Sequence, residues 1–265
     1  MKERIRQYLP AECPWRDTLL WFDTIGSTNT EAKHLAMQGA PHGTVLIAGH
    51  QTGGRGRLGR TFQSPAGQGV YLSVILRPDC PPEHLMHLTC AAAVAMCDAI
   101  ADAAGFRPRI KWTNDLVYEK KKLGGILTEL SVDHASGNVQ YAVIGIGINC
   151  TQDTGDFHPE IRDMATSLSA VRKAPVEPAV LAAAMVYRLF EADQQLADRK
   201  IILDRYKNDC MTLGQQIVLI RGDEKQYGTA LDIDNKGALI VRFADGRIGS
   251  VASGEVSVRG MYGYL

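Results

Sequence analysis

Gly54-Arg55-Gly56-Arg57-Leu58-Gly59-Arg60 lies between two short apolar runs, at 43–49 and 70–76. Its first six residues fit the GxGxxG pattern of a dinucleotide-binding turn, so the residues directly after the loop decide the fold. A doubly wound fold would start a helix here and rest its N-terminus on the pyrophosphate. Instead the chain continues Thr61-Phe62-Gln63-Ser64-Pro65-Ala66-Gly67-Gln68-Gly69, which cannot open a stable helix. Asp79 stands where a ribose-binding acid would, but it is lodged among Pro78, Pro81 and Pro82. The dinucleotide reading is set aside. What is left is a loop of glycines, which let backbone N–H groups press against a ligand. Its arginines add planar, permanently charged forks suited to carboxylate and phosphate oxygens. The competing reading is an exposed turn with solvated arginines.

Composition makes any such site a local one. The 265 residues hold 29 basic and 29 acidic side chains, a formal net charge of +0. A general nucleic-acid binder carries a broad basic surplus, which this chain lacks. A hydrophobic content of 45% fits a globular core, in one large domain or one large and one small. The first ten residues have no apolar core of a signal peptide, and no window is expected to span a membrane. Six cysteines without a CxxC pair read as reduced, core-filling thiols of a cytoplasmic protein.

The apolar runs at 43–49 and 70–76 predict buried strands flanking the loop. Residues 83–104 predict a helix, with Leu85, Leu88, Ala92, Met96 and Ile100 near helical spacing and Gly105 as its C-cap. Strands are expected at 109–112, 124–130 and 139–149, the first two separated by the charged turn Tyr118-Glu119-Lys120-Lys121-Lys122. A second long helix follows Pro178, placing Leu181, Met185, Leu189 and Leu196 on one side. Beyond about residue 211 the texture changes to short alternating segments at 217–221, 228–233, 238–243, 247–251 and 255–259, which suggests a small antiparallel barrel. The expected fold is α+β: a mixed sheet packed with helices over residues 1–211, then a small barrel over 212–265.

Four further segments carry chemistry. Lys111-Trp112-Thr113-Asn114-Asp115 ends a strand with an Asn-Asp pair, either a simple Asx-turn or a ligand-facing corner. Lys122 enters an apolar strand just before Gly124-Gly125, so it is expected along a packed surface, with glycines leaving room for a ligand. Gly145-Ile146-Gly147-Ile148-Asn149 gathers small residues on one sheet face, open to a backbone, a flat ligand or a packed helix. Ser27-Thr28-Asn29 reads as an N-cap that is also able to hydrogen-bond a polar ligand. His84 and His87 share a helix face, but no acid or cysteine at matching spacing makes them a metal site.

In order and spacing, Ser27-Thr28-Asn29, Gln51, the 54–60 loop, the 111–115 corner, Lys122-Leu123-Gly124-Gly125-Ile126-Leu127 and Gly145–Asn149 resemble biotin–protein ligases. The likeness covers nearly the whole chain, and Gly254-Glu255-Val256-Ser257-Val258-Arg259 looks like the end of that family's SH3-like C-terminal domain. The resemblance implies a class II synthetase-like ligase domain acting on biotin and ATP with Mg²⁺. Its partner would be a biotin carboxyl carrier protein domain, reached through a biotinyl-5′-AMP intermediate. Position by position, Ser27, Thr28, Asn29, Gln51, Gly54, Arg55, Gly56, Arg57, Lys122 and Gly125 match biotin-contacting positions. Arg57, Arg60, Lys111, Asn114, Asp115 and Asn149 match the nucleotide or metal side, with Lys122 and Arg57 as catalytic groups and no protein metal ligand assigned. Ala165-Thr166-Ser167-Leu168 resembles a later segment close to the nucleotide.

Two departures stand out. Leu58 stands where many members carry a basic residue, and Thr113 replaces the usual proline, a change expected to loosen the turn that presents Asn114. About twenty residues precede Leu20, too few for the winged helix of some relatives, so a ligase that is not a repressor and does not bind DNA is expected, as monomer or homodimer. A lipoate or octanoyl ligase is the nearest rival, disfavoured by the lack of an Arg-Arg-x-x-Gly-Gly-Gly run. A non-enzymatic binding module using 54–60 and 120–122 is the other.

Overall fold

Val70 to Leu76 is apolar at nearly every position, and the strand it forms, β3 (Gly69–Leu76), is buried along its whole length. The computed structural model describes residues 1–133, 135–252 and 257–260. Around β3 assemble β1 (Leu19–Phe22), β2 (Thr44–Ala48), β4 (Arg109–Lys111), β5 (Asp115–Tyr118), β6 (Lys121–Val132) and β7 (Val139–Asn149). They form one seven-stranded sheet in the order β1-β2-β3-β7-β6-β5-β4. Only β1 and β2 pair in parallel among these strands, so the sheet is mixed, as expected.

Alternation along the strands assigns the two faces. Val45, Ile47, Leu72, Val74, Ala142, Ile144 and Ile146 pack into a large core with α3 (Leu85–Ala104) and α5 (Pro178–Gln194), to which the short helices α1 (Lys2–Tyr8) and α4 (Leu168–Arg172) add Ile5 and Leu168. Leu46, Ile75, Tyr141 and Val143 point the other way, onto Ala32 and Ala36 of α2 (Thr28–Met37). Past α2, Ser73, Gly145, Gly147 and Asn149 continue the parity of that second face along β3 and β7. There the face opens into a cavity instead of meeting another helix.

Helix α3 ends as the sequence predicts, with Gly105 in the left-handed region (φ 76°) and its N–H bonded to Ala101 O. The expectation that no window approaches a membrane span is corrected: Leu85–Ala104 is long and apolar enough by composition. Its apolarity serves the protein core, since most of the helix is buried between the sheet, α5 and α6 (Arg199–Asp209). Helix α6 has no counterpart among the expected elements, because Arg199, Lys200, Asp204, Arg205, Lys207 and Asp209 break up any apolar run. Ile202, Leu203 and Tyr206 nonetheless bury one narrow stripe.

The expected turn at 118–122 is a hairpin. Asp115–Tyr118 pairs with β6, and Glu119 and Lys120, both at positive φ (45° and 68°), form its two-residue tip. The C-terminal segments form a second sheet, β8 (Gln216–Arg221), β9 (Glu224–Ile233), β10 (Leu239–Phe243), β11 (Ile248–Val251) and β12 (Ser257–Gly260). Its order is β11-β10-β9-β8-β12, with every pair antiparallel. Part of the strand expected at 255–259 lies outside the described residues. The small sheet is fastened to the large one where Trp112 N–H donates to Thr212 Oγ1 (2.9 Å) and Trp112 Nε1 donates to Gly237 O (3.1 Å).

Candidate active site

The open part of the α2 face is a cavity of about 670 Å³. One end is built by the start of α2. Ser27 caps that helix, its hydroxyl accepting from Thr30 N–H. Thr28 then donates twice to Gln51 Oε1, from its N–H (2.8 Å) and its hydroxyl (3.0 Å), and Gln51 Nε2 donates to Ser64 Oγ (3.1 Å). Ser73, fully buried on β3, bonds Thr28 Oγ1 (2.8 Å) and Asn29 Oδ1 (2.7 Å). Asn29 Nδ2 donates to Leu127 O (3.2 Å) and Glu129 Oε2 (2.9 Å). Each side-chain orientation is thus fixed before a ligand arrives, and the end is polar without carrying a bare charge.

Glu129 gathers the nearby cations: Lys33 Nζ at 2.7 Å and Arg55 Nη1 at 3.8 Å. Burial favours its neutral form, but the bonds from Lys33 and Asn29 and the charges of Lys33 and Arg55 outweigh it, and its pKa falls below the ordinary 4.5.

The alternating glycines of β7 have a definite use. A Cβ on Gly145 would overlap the Asn29 side-chain amide, and one on Gly147 would overlap the Phe62 ring. The sheet is bare at these points so that two side chains from other segments can lie on it. At Gly145 the neighbour is Asn29 of α2, a helix packing on the sheet as one reading expects; at Gly147 it is the Phe62 ring, and both glycines also line the cavity.

The other end is cationic. The 54–60 loop is a narrow hairpin, with Arg55 opposite Thr61 and Phe62 N–H bonded to Gly54 O (3.0 Å). At its tip Leu58 takes a left-handed conformation (φ 55°) and leaves its side chain exposed. Arg57 turns inward, donating from Nη1 to Thr113 Oγ1 (2.9 Å) and Asn114 Oδ1 (3.0 Å). Burial lowers its pKa, and the charge of Asp115 works against that. Asn114 is itself held, its Nδ2 donating to Ile126 O (2.8 Å). Lys122 Nζ lies 2.7 Å from Asp115 Oδ1, beside Gly125, where an added Cβ would come within 3.3 Å of that ammonium. The Lys122 backbone is clamped by the 164–166 segment, with its N–H on Met164 O and its C=O receiving Thr166 N–H. Asn149 Nδ2 donates to Thr166 O (3.0 Å) from the far side.

Arg57, Lys122 and Asn114 therefore share one cavity, together with Ser27, Thr28, Asn29, Gln51, Arg55, Gly56, Arg60, Lys111, Asp115, Gly125 and Asn149. Gly54 does not line it. A Cβ there would overlap Phe62 O and meet Ser64 Oγ at 2.6 Å, so its bareness serves the hairpin's own packing. Ala165 of the 165–168 segment also lines the cavity, beside Phe157, Ile161 and Met164. Sequence reasoning missed Ser73, Glu129 and Phe62. Ser73 left a signal, as the single small polar residue in an otherwise apolar run; Glu129 shares its strand with Lys121, Lys122, Thr128 and Ser131 and stands out only as its one acid, and Phe62 left none.

The family follows from comparison. Residues 21–149 match the model of the biotin/lipoate A/B protein ligase family, and residues 212–259 that of the biotin protein ligase C terminal domain. The chain is 33% identical to the biotin–[acetyl-CoA-carboxylase] ligase of Mycobacterium tuberculosis, over 94% of its own length and 92% of the relative's. The chain belongs to the biotin protein ligases. Within that family it is also 36% identical to the bifunctional ligase/repressor BirA of Bacillus subtilis, over 86% of this chain and 70% of the relative. Among solved structures, the biotin protein ligase of Aquifex aeolicus in complex with biotin and ATP superposes with a TM-score of 0.77 at 28% identity, covering 91% of this chain and 98% of that one.

Proposed function

We propose that this biotin protein ligase activates biotin with ATP and transfers the biotinyl group to a lysine of a biotin carboxyl carrier protein domain. One observation carries the reading: a single cavity joins a preorganised hydrogen-bonding end, its nearby charges paired on Glu129, to a cationic end holding Arg57, Lys111 and Lys122. A ligand with a polar uncharged head and a carboxylate tail fits that order, the tail meeting a nucleotide at the cations.

In the first step a biotin carboxylate oxygen forms a bond to the α-phosphorus of ATP, and the bond to the pyrophosphate oxygen breaks. Two anions must approach each other, and that repulsion is what the protein has to offset. Arg57 and Lys122 supply fixed positive charge where negative charge builds up on the α-phosphate oxygens. Thr28, Asn29 and Gln51 hold the head, so the carboxylate arrives in line rather than by diffusion. In the second step a carrier lysine amine attacks the acyl carbon of the anhydride; the amide forms, AMP leaves, and the amine proton is lost.

Magnesium is expected with the nucleotide. Among the described residues no group of three or more His, Cys, Asp or Glu is placed to hold a metal. Asp115 is the one carboxylate among the described residues lining the cavity. One carboxylate with neighbouring amide oxygens suits a cation carried chiefly by the triphosphate, whose charge it would share. The chain's neutral balance supports the absence of general DNA binding, and its free cysteines support a cytoplasmic location. The C-terminal unit, taken as residues 212–265, contributes Val258 to the cavity wall.

The test is incubation with ATP, labelled biotin and an isolated carrier domain, scored by mass spectrometry of the carrier lysine. Lipoate in place of biotin separates the sibling activity. No adenylate and no modified lysine would overturn the assignment.

A further inference from the structure

Ser73 is fully buried on β3, behind the wall that Thr28, Asn29 and Gln51 give the cavity. Its neighbours allow the hydroxyl protons to be counted. Asn29 Nδ2 faces two acceptors, Leu127 O at 3.2 Å and the Glu129 carboxylate at 2.9 Å, so its Oδ1 is the atom toward Ser73. Gln51 is oriented the same way. Ser64 donates to Phe62 O at 3.0 Å and accepts from Gln51 Nε2 at 3.1 Å, which leaves Gln51 Oε1 toward Thr28. Three contacts then join four oxygens in a row: Asn29 Oδ1 to Ser73 Oγ at 2.7 Å, Ser73 Oγ to Thr28 Oγ1 at 2.8 Å, and Thr28 Oγ1 to Gln51 Oε1 at 3.0 Å. Among the described residues two hydroxyl protons serve those three contacts, one from Ser73 and one from Thr28. The Thr28 N–H goes to Gln51 Oε1 separately, at 2.8 Å.

The row is one proton short, and its chemistry decides where. Asn29 Oδ1 can only accept, and its contact with the fully buried Ser73 is the shortest of the three. Leaving that contact bare would bury an unpaired amide oxygen. The Ser73 proton is therefore committed to Asn29, whose amide is polarised in the same direction by Glu129 and Lys33 beyond it. One Thr28 proton remains for two acceptors, Ser73 Oγ and Gln51 Oε1. The shortfall thus falls on Thr28 and Gln51, both of which line the cavity. We propose that Ser73 is a specificity-determining positioning residue: by giving its proton to Asn29 it leaves the Thr28–Gln51 edge short of a donor. That edge favours a head group that brings N–H and rejects one that offers only oxygen lone pairs or sulfur. The proposal rests on the biotin reading of this cavity and deepens it, since the ureido ring of biotin carries N–H groups and a lipoyl-type head carries none.

The test compares biotin with its cyclic carbonate analogue, in which ring oxygens replace the ureido N–H groups, by calorimetry without nucleotide. Wild type should prefer biotin by about 10²–10³ in Kd, because a site built to receive a donor rejects the analogue that lacks it. Ser73→Ala removes the competing oxygen, so the Thr28 proton can serve Gln51 and the shortfall disappears, while Asn29 Oδ1 loses its donor. Its Kd for biotin should rise about tenfold with that for the carbonate within about threefold, so the preference shrinks about tenfold. A purely structural role would weaken both ligands alike. A preference within about twofold of the wild-type value in Ser73→Ala therefore overturns the proposal, and so does a wild-type preference under about tenfold. Should Ser73→Ala fail to fold, a neutron structure of the wild type decides: a Ser73 deuteron directed at Asn29 Oδ1 supports the proposal, and one directed at Thr28 Oγ1 refutes it. Pyrophosphate release is scored apart. Biotin bound but not activated defeats the ligation reading and leaves the preference to judge Ser73, whereas binding of neither ligand defeats both.

Discussion

Replacing Lys122 by alanine should cost about 10²–10³ in the rate of adenylate formation. The ammonium sits 2.7 Å from Asp115 and its side chain is 30% exposed, so it is neither in bulk water nor in a dry interior. A unit charge 4 Å from a phosphate oxygen at an effective dielectric near 20 contributes about 4 kcal/mol before desolvation. Partial exposure screens that figure, and an interaction gained chiefly at the transition state leaves about 3–4 kcal/mol in the rate, the scale of a lost oxyanion donor. The same substitution strips Asp115 of that ammonium beside two incoming anions, adding repulsion. Asp115→Asn placed on top of Lys122→Ala removes that repulsion together with the one carboxylate expected to share the nucleotide's magnesium, and a double-mutant cycle reads directly which of the two effects dominates. The assay is pyrophosphate release at saturating biotin and ATP, with the fall in kcat rather than in KM. A change under about threefold would show that the lysine is not the source of the charge stabilisation. A double variant slower than the single one would show that the carboxylate helps rather than opposes.

Gly145→Ala should weaken biotin binding about 10–100-fold by calorimetry, because its Cβ would displace Asn29 from its bonds to Leu127, Glu129 and Ser73; an unchanged affinity would separate Asn29 from the ligand. Arg57→Ala should release adenylate into solution, seen as free biotinyl-AMP without carrier, and no excess over wild type would remove Arg57 from its retention. Glu129 has a depressed folded-state pKa, so its contribution to stability is present above the ordinary carboxylate value near 4.5 and is lost as pH falls through the lower folded one. Glu129→Gln should thus be destabilised at pH 7 and lose less further stability between about pH 5 and 3 than wild type does. Parallel urea-midpoint profiles for the two proteins would contradict this.

Where pattern and physics coincide, the sequence is readable. Strand β7 runs Val139–Asn149 as expected, because its even residues need a core and its apolar run has sharp ends. Pro178 and Gly105 mark a helix start and a helix end for reasons internal to the backbone. Strand β5 is unreadable: four residues paired to β6 carry no period of their own, and a turn of glutamate and lysine gives no glycine signal. Glycines 145 and 147 are legible as gaps but not as gaps for Asn29 and Phe62, since pattern along one strand cannot name what crosses it. Thr113 reads as a departure that loosens a corner. Its hydroxyl bonds Arg57, and that relation between residues 56 positions apart lies beyond any local signal.

A neutral chain can serve two anions because its cations are held in place, not because they are in excess. Lys33 and Arg55 face Glu129, Lys122 faces Asp115, and Arg57 is held by two neutral oxygens. A random anion entering the cavity gains little, since it must compete with contacts already made and desolvate itself to do so. A ligand that reaches both ends at once gains from each, and the geometry that sets their separation is strand β6. The Lys122 ammonium reaches forward to within 3.3 Å of a Cβ on Gly125, and Asn29 bonds Leu127 O, so two residues at ~3.3 Å per residue put roughly 7 Å between the two ends along this strand. One rigid element thereby spaces the hydrogen-bonding end from the cationic end.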